Sequence, residues 1–141
     1  MNQTPDNQPP RRSRGEVAIR TVMMPAHTNP QGAIFGGVIL ALIDEAAFVE
    51  ALRQRNHRYV TVAFNGVEFH KPVLVGDVLS LYAETVKVGR SSLTVRVNVR
   101  AFRPEADMTI DVTSAEVVLV AVDHSGQPLP IGDCEARQRL G

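Results

Sequence analysis

The 141-residue chain has a single cysteine, no excess charge of either sign and no long apolar run, and each shortage removes a class of protein. Cys134 lies among polar residues near the C-terminus, and one thiol cannot form an intramolecular disulfide framework. A reducing, cytoplasmic location is the expectation. Fifteen Lys and Arg balance fifteen Asp and Glu, so no electrostatic footprint marks the surface for nucleic acid or an anionic membrane. Recognition of phosphate, if required, must be local. No apolar stretch approaches the ~18 residues of a membrane-spanning helix, and no repeat occurs at solenoid periods. The pair Arg11-Arg12 would open a twin-arginine export signal only if an apolar stretch of ~7 to 15 residues followed, and Glu16 and Arg20 interrupt it. There is no G-x-S-x-G elbow and no glycine-rich phosphate loop after a strand. His27 and His70 lack metal-ligand spacing such as H-E-x-x-H, so no metal is expected.

What is present organises into one domain. Residues 1–15 hold no aliphatic or aromatic side chain apart from Met1, and their Pro, Asn and Gln content opposes packing. They read as a disordered tail, residues 16–131 as the folded domain and 132–141 as a C-terminal tail. The length suits one core and is too short for two.

Residues 16–23 are β-branched and end at Pro25, which predicts a first strand. Val38 to Leu52 runs through Ala, Leu, Ile and Val without a breaker, long enough for four helical turns. This segment is apolar on nearly every face except at Asp44, Glu45 and Glu50, which predicts a helix enclosed by other structure. Four strand-like runs follow, at 59–69, 78–88, 93–102 and 109–122. The third alternates most clearly, with Leu93, Val95, Val97, Val99 and Ala101 set against Thr94, Arg96, Asn98 and Arg100. Gly89-Arg90-Ser91-Ser92 reads as a hairpin turn, with glycine supplying backbone freedom. One long apolar helix and a run of antiparallel strands make an α+β layout in which the sheet curls around the helix, the outline of the hot-dog fold. Such a sheet leaves an open edge, and pairing of edges through a dimer is the expected outcome.

Asp44 carries the most chemical information. A carboxylate between Leu42, Ile43, Ala46 and Ala47 is desolvated at a cost unless it has a purpose. Gly37 lies seven residues earlier, about 700° of rotation, so the two share a helix face. Open N–H groups at that N-terminus, aided by the helix dipole, can hold a carbonyl oxygen that becomes an oxyanion. An equally simple account is that Asp44 and Glu45 mark a solvated stripe, and pattern alone leaves the two evenly balanced. Asn29 before Pro30 is an ordinary turn former, and Gly36-Gly37 could merely permit close packing.

The stretch from His27 through Thr28-Asn29-Pro30-Gln31-Gly32 to Phe35-Gly36-Gly37, followed by Ile43-Asp44-Glu45-Ala46, resembles the signature of the hot-dog acyl-CoA hydrolases, D-T-N-x-x-G-x-x-F-G-G and then M-D. The likeness continues in order through Val60-Thr61-Val62-Ala63, Val67 to Val73, Val75-Gly76-Asp77 and Val86 to Ser92, so it covers roughly residues 16–124. The resemblance implies hydrolysis of acyl-CoA thioesters at a site between two hot-dog units, in dimers that are often grouped into trimers. It implies that Asp44 is the catalytic carboxylate, that Asn29 acts with it from a different protomer, and that the Gly37 N–H, beside Gly36, meets the thioester oxygen. Lys71 and the turn Gly89, Arg90, Ser91 and Ser92 match positions near the CoA moiety. No cofactor is implied, since CoA is part of the substrate and of the product. The chain departs from the signature at His27, where the family usually has Asp, which bears on loop geometry and pH response.

The implied mechanism has Asp44 as general base on water, or as a nucleophile through an anhydride, with Gly37 holding the oxyanion. Two alternatives stand beside it. A hot-dog enoyl-CoA hydratase or dehydratase would use a catalytic His, for which His27 is the nearest candidate. A non-catalytic acyl-CoA-binding module would need an output domain, for which residues 1–15 are too short.

Overall fold

The computed structural model describes residues 15–132. The expected tails therefore fall outside the described residues apart from Gly15 and Gly132, as does Cys134. Strand β1 (Glu16–Val22) is followed by helix α1 (Gly36–Gln54) and strands β2 (Arg58–Phe69), β3 (Val78–Val88), β4 (Ser92–Arg103) and β5 (Met108–Val122). The strands form one antiparallel sheet in the spatial order β1-β3-β4-β5-β2, and α1 packs against all five. This is the curled sheet around a single helix that the pattern predicts.

Alternation explains the core. In β4 the residues Leu93, Val95, Val97, Val99 and Ala101 are buried while their neighbours are not, and β3 and β5 repeat the pattern at Leu79–Ala83 and Ala115–Ala121. These inward side chains meet Ile39, Ile43, Ala46, Ala47 and Ala51 of α1. Each buried Val, Leu or Ile contributes roughly 1.5–3 kcal/mol, and the helical alanines let the sheet approach closely. Register shifts at Thr61/Ala63 and Asn65/Glu68 bend β2 relative to β5 and increase the curl.

The helix differs from its expected form in two respects. It extends two residues further at each end than Val38–Leu52. It is also not fully enclosed, because Gly37, Ala41, Glu45 and Phe48 lie exposed along one stripe and Phe48 retains 42% of its surface. Five strands cover only part of its circumference, and residues of both edge strands, β1 and β2, line one cleft with Glu45 and Phe48 of this stripe. Glu50, by contrast, is wholly buried: its Oε2 accepts from Thr85 N–H (3.0 Å), the Thr85 hydroxyl (2.8 Å) and Gln54 Nε2 (3.0 Å), tying α1 to β3.

A second buried carboxylate holds the turn before β3. Asp77, fully buried, accepts from Arg103 Nε at 3.0 Å and from Arg103 NH2 at 2.9 Å, while its Oδ2 also accepts the Leu74 N–H at 2.9 Å. That hydrogen bonding holds the Arg103 guanidinium above its already high ordinary value, so it stays charged. After β5, the chain returns across the sheet end, with Leu129 N–H donating to Ala121 O and the buried Ile131 donating to Arg90 O, both at 2.8 Å.

Candidate active site

Asp44 lies on the flank of α1 that faces β2. It is half-buried, and its Oδ1 accepts the Thr61 hydroxyl at 2.5 Å. Glu45, one residue on, is exposed. The pair thus divides: Glu45 belongs to the open stripe, and Asp44 is held by a specific donor. Together they border a cleft of about 540 Å³, lined otherwise by Ile19 of β1, Phe48 and Val49 of α1, and Tyr59, Val60 and Thr61 of β2. The two sheet edges therefore contribute to one groove whose wall is largely apolar and whose polar side chains are Asp44, Glu45, Thr61 and Tyr59, the last with its hydroxyl donated to Arg55 O at 2.8 Å.

Gly37 sits in the first turn of the same helix and is exposed. Phe35 provides no side-chain cap, and among the described residues nothing accepts the Gly37 N–H. A Cβ placed on Gly37 would meet nothing within 4 Å, so the approach to this amide is open, whereas a Cβ on Gly36 would contact the Phe69 ring from 3.4 Å. Gly37 and Asp44 share a flank, as their spacing predicts, but the helix rise separates them by about 10 Å. One thioester carbonyl with its attacking water spans less than this.

Asn29 serves its turn. Its Oδ1 accepts the N–H groups of Gln31 (2.9 Å) and Ala33 (3.1 Å), and its own N–H donates to Ala33 O at 2.7 Å. It makes no hydrogen bond to Asp44 within the chain; among the described residues the only side-chain partner of Asp44 is Thr61. His27 has Nδ1 committed to the Met24 N–H at 3.1 Å, which does not suit it as the acid or base of a hydratase.

The residues matched to the CoA moiety divide between two ends of the sheet. Lys71 follows β2, where Phe69 pairs with Thr113 of β5, while Ser92 pairs with Val120. Seven residues along β5 amount to roughly 20 Å, so Lys71 and Arg90 of one chain lie toward opposite ends of the sheet. Lys71 and Arg90 are exposed, and the turn is pinned by Gly89 N–H to Ser92 O and Ala121 N–H to Ser91 O, both at 2.8 Å. Gly89 has no positive φ, and a Cβ there would meet the Ser92 hydroxyl, which would have to turn aside. This corrects the expected reason, which was backbone freedom.

Thr61 is the functional candidate that the sequence did not single out. A threonine in a β-branched run reads as an ordinary strand residue, and only the pairing of β2 beside α1 brings it to Asp44.

Comparison with known proteins identifies the family. The family model of the thioesterase superfamily matches residues 31–105, and the chain belongs to that superfamily. It is 44% identical over 127 residues to an uncharacterised acyl-CoA thioester hydrolase of Zymomonas mobilis, covering 89% of this chain and 85% of that one. It is 37% identical over 131 residues to the acyl-CoA thioester hydrolase YciA of Salmonella typhimurium, covering 91% and 96%. Among solved structures, the hexameric hotdog fold thioesterase of Campylobacter jejuni superposes with a TM-score of 0.81 at 41% identity, covering 86% of this chain and 93% of that one.

Proposed function

We propose that this protein hydrolyses acyl-CoA thioesters to the free carboxylic acid and CoA, with Asp44 as general base. The observation that carries the reading is a carboxylate oriented by Thr61 at the rim of an apolar cleft, on a helix whose first turn offers the uncapped Gly37 amide. Asp44 takes a proton from water, and the hydroxide attacks the thioester carbonyl. The oxygen that gains the electron pair is held by the Gly37 N–H and the helix dipole. The intermediate then collapses, the C–S bond breaks, and CoA departs as a thiolate good enough as a leaving group to need no strong acid. It takes up a proton on release, and Asp44 returns its own to solvent. No metal or cofactor takes part in this scheme.

The site is shared between two copies. The rise of about 10 Å between Gly37 and Asp44 supports sites completed by a partner. Two chains joined along the unpaired edge of β2 would set the Asn29 and Gly37 of one against the Asp44 of the other. Asn29 then orients the water or the carbonyl, while Lys71, Arg90 and the turn from Gly89 to Ser92 meet CoA from different chains. A hexamer, as in the Campylobacter jejuni relative, is the expected assembly as a trimer of such dimers. The balanced charge, and the absence among the described residues of a helix long and apolar enough to cross a membrane, support a cytoplasmic enzyme working on acyl-CoA, with no nucleic-acid or membrane partner.

The test is a panel of short, medium and long acyl-CoAs with released thiol as readout. Wild type should turn over, and Asp44→Asn should lose at least ~10²-fold in kcat with unchanged folding and assembly, the usual scale for a lost general base. Near-normal turnover in a folded Asp44→Asn protein would remove Asp44 from the mechanism.

A further inference from the structure

His27 is hydrogen-bonded at both ends of the loop that connects β1 to α1. Its Nδ1 accepts the Met24 N–H at 3.1 Å, the donor that heads the short 3-10 turn Pro25–His27. Its carbonyl accepts the Phe35 N–H at 2.9 Å, immediately before α1 begins. Between these anchors lies the Asn29 turn, closed on itself through Ala33 and Gln31. From this geometry we infer that His27 is a positioning residue: its imidazole holds position 27 against the Met24 N–H, and the carbonyl so placed receives Phe35, which sets Asn29 relative to the helix start that carries Gly37. The inference rests on the roles proposed for Asn29 and Gly37.

The chemistry is that of an acceptor. Because Nδ1 receives the Met24 N–H, the neutral ring carries its proton on Nε2. An Asp or Asn oxygen at this position can accept the same N–H, which makes the carboxylate usual in the resembling signature and the imidazole of this chain two solutions to one geometric problem. The stem of the loop does not depend on His27. Met23 is buried, donates to Asp77 O at 2.9 Å and accepts from Gly76 N–H at 2.9 Å, so variants at position 27 should fold.

The experiment compares His27→Ala, His27→Asn and Asn29→Ala by steady-state kinetics on one acyl-CoA and by hydrogen exchange of residues 24–36. His27→Ala should exchange faster across that segment and lose roughly tenfold or more in kcat, with KM within about twofold, because the reacting groups are misplaced while the CoA contacts lie elsewhere. His27→Asn should restore both readouts. Wild-type exchange and kcat in His27→Ala, or no rescue of either by His27→Asn, would overturn the inference. Faster exchange with unchanged kcat overturns it too if Asn29→Ala is inactive. If Asn29→Ala is also fully active, the positioning contact stands and the proposed role of Asn29 falls instead.

Discussion

The base role proposed for Asp44 depends on how its carboxylate is oriented, and the Thr61 hydroxyl orients it. Thr61→Val keeps the branched shape and removes the donor, so kcat should fall about tenfold, an effect of orientation. In an Asp44→Asn background the same change should cost little more, since both act on one step. Additive losses in the double mutant would show that Thr61 acts on something other than Asp44. At this scale the sequence was informative where a residue conflicts with its neighbours. Asp44 stood out because a charge among Leu42, Ile43, Ala46 and Ala47 needs a reason. Thr61 did not, because its reason lies across a sheet edge. Asn29 read as a turn former and is one.

Among elements, the two buried carboxylates fix how helix, turns and strands meet. Arg103→Ala would leave Asp77 charged and unpaired in the interior, a loss of about 3–5 kcal/mol, visible as a lower urea midpoint. Replacing both partners with apolar residues should recover much of it. The turn after β5 responds instead to acid. Asp123 Oδ1 accepts the Ser125 hydroxyl at 2.7 Å, the Ser125 N–H at 2.8 Å and the Gln127 N–H at 2.9 Å. The Ser125 hydroxyl first, and then Gln127, hold the Asp123 carboxyl below the usual carboxylate range. A group lowered in the folded state adds stability above its unfolded value and loses it as pH falls through the folded value. The stability difference between wild type and Asp123→Asn should therefore be present at neutral pH and close as the solution passes below the carboxylate range. A difference that grows in acid would contradict the assignment. The elements were legible because strands written with period two and a helix written in Ala, Leu and Ile bury one face each. The spatial order β1-β3-β4-β5-β2 was not, nor was the division of Lys71 and Arg90 between opposite ends, since spacing along the chain does not say which end of a sheet a turn occupies.

For the molecule as a whole, the open stripe of α1 and the free edge of β2 belong to one account, in which a single chain is half of two sites. The most direct measurement mixes two variants. Asn29→Ala and Asp44→Asn should each be nearly inactive alone, because every site lacks one partner. Dissociated together and reassembled, mixed dimers should each contain one site with both changes and one with neither. With random reassortment, activity should return to roughly a quarter of wild type. No recovery, with mixed dimers verified by mass spectrometry, would mean that Asn29 and Asp44 act within one chain, and the shared site would be wrong.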